Sequence, residues 1–187
     1  MANRLVGKKI ALLLEEGYED REVTVPLNFL TGEGANVKLI GSDRATDFVS
    51  KHGVSLSTHI TATDARVSDF DAFLIPGGYA PEKMRLSHSL VNLIAEADDH
   101  GKFIAAIGHG PQLLISAGIV KDRMITSYAG IVIDIKNAGA FYVDEASVRD
   151  GNLITSRGGD DLTEFLETFT DALTVSTPYI KNVWAGA

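Results

Sequence analysis

The chain predicts a single α/β domain with a central, mainly parallel sheet and helices on both faces. Two observations carry this. Short apolar runs at 10–14, 72–75 and 103–107 lack the alternation of a half-exposed sheet and read as strands buried on both faces. Between them lie stretches whose apolar residues recur at helical spacing, as crossover helices do. The composition agrees: of 187 residues, 45% are hydrophobic and 22% charged, which suits one full core and not a disordered chain. No internal repeat or linker divides it, so residues 1–187 form one domain, with 174–187 as a C-terminal tail.

The first strand covers 8–14, where Ile10 to Leu14 are all apolar. Residues 15–18 form a loop at its carboxyl end. A helix follows over 20–30 with Val23, Leu27 and Leu30 on one face. Gly32 and Gly34 close it, and Pro26 inside it predicts a kink or a late start. The second strand is 36–40. Segments 46–49 and 54–58 alternate around Ser50-Lys51-His52-Gly53, a small hairpin excursion. A buried strand at 72–75 runs directly into Pro76-Gly77-Gly78, and 89–100 is an amphipathic helix through Leu90, Leu93, Ile94 and Ala97.

The chain is organised around 102–114. Phe103 to Ile107 is a buried strand, and Gly108-His109-Gly110 is a sharp turn. Pro111 then stands where a helix begins, since a first-turn proline lacks only an N–H that has no partner there. The helix runs over 112–117 until Gly118 stops it. Strand, tight turn and helix in this order are the geometry of a nucleophile elbow, whose apex carries Ser or Cys. Here the apex is Gly108.

Beyond the elbow, 124–127 reads as a short strand, 131–137 as a short helix and 140–143 as a strand. Segments 147–149 and 152–156 flank Asp150-Gly151, a hairpin signal. Asp161-Leu162-Thr163-Glu164 resembles a capping box opening a helix to about 173. Ligands of such folds bind beyond the carboxyl ends of the strands, where loops 15–19, 76–81, 108–111 and 127–130 gather.

Several function classes are excluded or disfavoured. A net charge of −8 repels phosphate backbones and anionic lipid, so neither nucleic acid nor a membrane surface is an expected partner. The chain has no cysteine, which removes disulfides, thiolate–zinc sites and iron–sulfur clusters. His52, His59, His88 and His100 fall in no metal spacing and read as surface residues; no metal and no cofactor is expected. The run at 10–14 is too short for a signal peptide and ends in Glu15-Glu16, and no stretch approaches the roughly 20 apolar residues of a spanning helix, so the expected location is the cytoplasm.

The segment Ala-Ile-Gly-His-Gly-Pro-Gln-Leu-Leu at 106–114 resembles the elbow of PfpI-type proteins of the DJ-1/PfpI superfamily, relatives of the class I glutamine amidotransferases. In that family the turn reads Ile-Cys-His-Gly-Pro. Tyr18-Glu19-Asp20, the run from Phe70 to Gly78, Thr126-Ser127-Tyr128 with Asn137-Ala138-Gly139, and Thr155-Ser156-Arg157 agree as well, over about 8–173. The resemblance implies a flavodoxin-like three-layer sandwich and dimers or larger homo-oligomers. It implies peptidase, amidase, glyoxalase or glycation-repair activity on a small carbonyl or amide substrate, all resting on the elbow cysteine. Carried over residue by residue, Gly108 matches the nucleophile and Glu19 the acid that contacts it. The N–H groups of His109 and Gly78 match the oxyanion hole, with Gly77 beside them, and Tyr128 lies in the site-lining segment. Glycine has no side chain to attack a carbonyl, so the resemblance implies a family member whose covalent chemistry is disabled. The companions still match around Gly108, the pattern of a nucleophile lost recently or by design.

Plainer readings stand beside these. Glu19 belongs to an acidic run at a helix start, where acids offset the macrodipole. Gly77-Gly78 is a turn, Gly158-Gly159 a loop, and Tyr128 alone a core-edge tyrosine. His109 can follow a tight turn with its ring directed away. A binding module is the second reading: Gly108-His109-Gly110 before a helix offers backbone N–H groups to a small anion, although the third glycine of a dinucleotide fingerprint is missing. A stress-related structural subunit with an empty site is the third. The tail at 179–184 is apolar enough to predict burial against the domain or a neighbouring subunit.

Overall fold

The computed structural model describes residues 3–174. The main sheet has seven strands in the order β10-β11-β7-β6-β1-β2-β5, all parallel except β10. Its centre is built from the apolar runs. In β1 (Lys9–Leu14) every residue after Lys9 is buried, and so are all four residues of β6 (Ala72–Ile75). Strand β7 (Phe103–Ile107) is buried after Phe103. Strand β2 (Asn36–Gly41) alternates at its start, then buries its last three residues.

Helices cover both faces because the crossovers run in opposite directions. From β1 the chain passes through α1 (Asp20–Gly32) to β2 on one side, whereas from β6 it passes through α2 (Ala80–Met84) and α3 (His88–Asp99) to β7 on the other. Right-handed crossovers in opposite directions place their helices on opposite faces. Helix α6 (Leu162–Thr174) packs with α1, and α4 (Pro111–Ser116) packs with α2 and α3. The result is the three-layer sandwich expected from the sequence.

Differences from expectation fall on short pieces. Helix α1 runs continuously from Asp20 through Pro26, so the late start is not observed; the buried Pro26 ring packs on the same face as Val23 and Leu30, which offsets the hydrogen bond it removes. The excursion is a hairpin of β3 (Asp47–Val49) and β4 (Ser55–Ser57), followed by an unexpected edge strand, β5 (Ile60–Thr61). The two strands expected at 124–127 and 140–143 shrink to β8 (Met124–Ile125) and β9 (Phe141–Tyr142), which pair with each other outside the main sheet and flank α5 (Val132–Asn137). The hairpin of β10 (Ser147–Asp150) and β11 (Leu153–Ser156) forms as expected. The capping box does not. A turn of 3-10 helix over Gly159–Asp161 precedes α6, and the Asp161 carboxylate accepts hydrogen bonds from Arg157 at 2.9 and 3.0 Å instead. The burial expected for the tail at 179–184 lies outside the described residues.

Candidate functional site

The crossovers diverge between β1 and β6, and ligand crevices in open α/β sheets form where the direction of winding changes. The loops after β1, β6 and β7 meet there. An isolated bridge between Tyr18 and Gly78 ties the first two together, through Tyr79 N–H to the Gly17 carbonyl at 2.8 Å and Glu19 N–H to the Gly77 carbonyl at 3.3 Å. The Tyr18 ring is fully buried, and its hydroxyl donates to the Val54 carbonyl at 2.7 Å, which anchors the β3–β4 excursion over the crevice.

Gly108 sits at the apex of the turn after β7 with φ +61°. Its N–H donates to the Ser156 carbonyl at 3.0 Å, and its carbonyl accepts from Tyr128 N–H at 2.9 Å. A β-carbon placed on Gly108 would stand 3.1 Å from Glu22 Oε1 and 3.3 Å from Oε2. The elbow is therefore formed, and an acid faces its apex.

That acid is Glu22, not Glu19. Glu19 is the N-cap of α1, outside the helix, and its carboxylate turns to the excursion, 3.4 Å from Lys51 Nζ and 3.8 Å from His52 Nδ1. Glu22 lies one turn further on, at i, i+4 and i+8 with the buried Pro26 and Leu30. An acid on the buried stripe of an amphipathic helix was the available signal for it. Glu22 is 5% exposed and accepts from Gly77 N–H at 2.7 Å. Burial pushes its carboxyl up to about 7, the amides of Gly77 and Gly159 opposing, and the Glu19 charge adding to the rise.

The same bond removes Gly77 from the expected oxyanion donors, because its N–H is already taken. Gly78 N–H and His109 N–H have no acceptor among the described residues, and both residues line the crevice. Gly78 has φ +76°, and a β-carbon there would come within 2.5 Å of Glu19 N and 2.6 Å of the Gly17 carbonyl oxygen, so only glycine fits this approach. His109 is half-buried, its ring stacked on Tyr128 at 4.6 Å between centroids. Burial first, and the Lys51 charge second, hold its imidazole below the usual range, which favours the neutral ring.

Glu19, Gly78, Gly108, His109 and Tyr128 thus line one cavity of about 590 Å³ together with Glu22. Lys51, Arg157 and the Gly158-Gly159 turn complete its wall, so this turn is part of the site and not an incidental loop. Glu19, Asp20 and His52 place ligand-type atoms within 4.8 Å of one another. Asp20 is occupied there by the Ser50 hydroxyl at 2.6 Å and His52 Nδ1 at 2.7 Å.

A family model described as the DJ-1/PfpI family matches residues 8–172. The chain belongs to the DJ-1/PfpI family. It is 39% identical over 165 residues to a deglycase of Pyrococcus horikoshii, covering 88% of this chain and 99% of that one. An uncharacterized protein of Archaeoglobus fulgidus is 43% identical over 157 residues, covering 84% and 93%. Among solved structures, a two-domain protein of Anabaena variabilis with DJ-1/ThiJ/PfpI-like and ferritin-like domains superposes with a TM-score of 0.87 at 40% identity. That match takes in 96% of this chain, which spans about half, 52%, of the Anabaena protein. A DJ-1 superfamily protein of Salmonella typhimurium, solved as an alanine-for-cysteine variant, superposes with a TM-score of 0.81 at 28% identity over 89% of this chain and 90% of that one. The family and the flavodoxin-like architecture drawn from the elbow are borne out. No helix among the described residues is long and apolar enough to cross a membrane.

Proposed function

We propose that this DJ-1/PfpI protein binds small carbonyl or carboxylate compounds in the elbow cavity and forms no covalent bond to them. One observation carries the reading: the elbow has the geometry that aims a nucleophile at a substrate, and its apex is a glycine in a chain without cysteine. Acylation and hemithioacetal formation on the protein both require a side-chain nucleophile that Gly108 lacks. The peptidase, amidase and deglycase activities associated with a thiol are closed to this chain as written.

What remains supports recognition. The Gly78 and His109 N–H groups are available to a carbonyl or carboxylate oxygen, and the Tyr128 and His109 rings give the cavity a flat wall. Glu22 takes the place of Glu19 as the acid–base group of the pocket, because it is the carboxyl that faces the apex.

Activity assays with methylglyoxal and with peptide amides, free of added thiol, test the proposal. The chain is expected to turn over neither, and Gly108→Cys is expected to gain turnover of at least one. Equal activity in the two proteins overturns the nucleophile argument. Titration calorimetry with glyoxylate and lactate tests recognition separately, with binding expected in the unmodified chain.

A further inference from the structure

We propose that the imidazole of His59 is a pH-sensitive latch: it fastens the β3–β4 excursion to the edge of the sheet while the ring is neutral and releases that end when the ring takes up a proton. The inference goes beyond the binding reading and holds whatever the cavity binds.

The observation lies at one joint. His59 stands between β4 and β5, where the chain returns from the excursion to the main sheet. Its N–H donates to the Leu39 carbonyl in β2 at 2.8 Å, as in a ladder. The Leu39 N–H donates in turn to a side chain, Nδ1 of the His59 ring, at 2.8 Å. A backbone N–H can only donate, so Nδ1 must hold a lone pair. The ring is therefore neutral, with its proton on Nε2. An imidazolium carries hydrogen on both nitrogens and has nothing to accept with. Protonation thus breaks this bond and sets two donors against each other. Leu39 is 4% exposed, so its N–H has little access to water in place of the lost acceptor. The ring itself is exposed, and a proton reaches it without unfolding. The charged residues of the elements around it are Lys38 in β2, Asp43 and Arg44 in the turn that follows, Asp47 in β3 and Asp64 after β5. Among the described residues none forms an ion pair with the ring.

The rest of the excursion decides what the break releases. On the sheet side β5 adds only two residues of pairing, Ile60 and Thr61, so the His59 bond is a sizeable part of the seam. At the cavity end the hold is of another kind. Lys51 N–H donates to the Tyr18 carbonyl at 2.9 Å, and His52 Nδ1 stands 2.7 Å from Asp20 Oδ2. A carboxylate can only accept, so His52 donates there, and a proton on its second nitrogen strengthens that bond. Acid therefore loosens one end of the excursion and tightens the other. The hairpin is left to pivot about the end that carries Lys51 in the cavity wall.

The size of the effect follows from linkage. A free imidazole titrates near about 6.5, whereas a ring that accepts at Nδ1 cannot take the proton and keep the bond. Lowering the pH from about 7.5 to about 5.5 therefore raises the released population roughly 10-fold.

Hydrogen exchange of the full chain at those two pH values, corrected for the intrinsic exchange rate, tests the latch. Protection over residues 36–41 and 58–62 is expected to fall roughly 10-fold in the parent protein. His59→Asn puts an amide oxygen near the position of Nδ1; it accepts at both pH values and should stay protected. His59→Leu offers no acceptor and should be poorly protected at both. His52→Gln should keep the parent's response, which assigns it to His59. Nitrogen-15 NMR of histidine-labelled protein reads the tautomer, with Nδ1 of His59 expected to carry no proton at neutral pH. Protection that is indifferent to pH in the parent, an equal fall in His59→Asn, or a proton on Nδ1 at neutral pH each overturns the proposal. Should the leucine variant fail to fold, the asparagine variant and the NMR still decide it.

Discussion

Glu22 carries a cost that the fold absorbs. Its ordinary carboxyl value is 4.5, and burial beside Gly108 raises it to about 7. Between those values the folded protein holds a proton that the unfolded chain has released. Stability conferred by that proton is present at and below about pH 4.5, declines as the pH rises through the window, and is gone above about 7. The span corresponds to about 3 kcal/mol. Denaturant melts from pH 4.5 to 8 should therefore show a downward slope from this group that flattens in Glu22→Gln. An unchanged slope in the variant would mean that the carboxyl titrates normally. The residue was not legible as the acid of the site from the family match, which pointed to Glu19. It was legible only through its place on the stripe with Pro26 and Leu30, where a charged residue contradicts the pattern of its neighbours.

Among the elements, the elbow shows what a short pattern can and cannot announce. Its five-residue strand, its glycines and Pro111 specified strand, turn and helix start, and the apex does have φ +61°. A residue with a β-carbon held at such an angle is strained by on the order of 1–3 kcal/mol. The new β-carbon would also press on Glu22 at 3.1 Å. Glycine's more flexible unfolded chain offsets about 0.4–1 kcal/mol of that advantage. Gly108→Ala should therefore lower stability by about 1–2 kcal/mol, with Gly108→Cys no more stable than Ala. Denaturant midpoints of the three proteins measure this, and an alanine variant as stable as the parent would contradict the left-handed turn. The elements that escaped the sequence were small ones. Strand β5 has two residues, fewer than any periodicity can mark, whereas the strands expected at 124–127 and 140–143 were legible and only their length, two residues each in β8 and β9, was not. Helix α2 begins directly after the Gly77-Gly78 turn, where composition signals only a loop. The excursion hairpin was legible, but its bond to Tyr18 was not, since it spans 36 residues of sequence.

For the whole molecule, the architecture followed from the alternation of buried runs and amphipathic stretches, while the direction of each crossover, which sets the crevice between β1 and β6, required the strand order. Val6, Leu86, Ile133 and Phe141 are each 60% or more exposed. Exposed singly, such residues are ordinary, and the expectation of self-association rests on the family resemblance. Light scattering at micromolar concentration should give a dimer or larger assembly, and a monomer there would refute this. The way the sheet ends constrains what such an assembly can be. Among the described residues it stops on one side at the two residues of β5 and on the other at β10, which carries Arg149 and Asp150. An incoming strand would find too little backbone to hydrogen-bond at the first margin and charged side chains at the second. If copies of this protein associate, both margins steer them away from open-ended, fibre-like growth by strand addition and toward closed complexes joined through helices and loops.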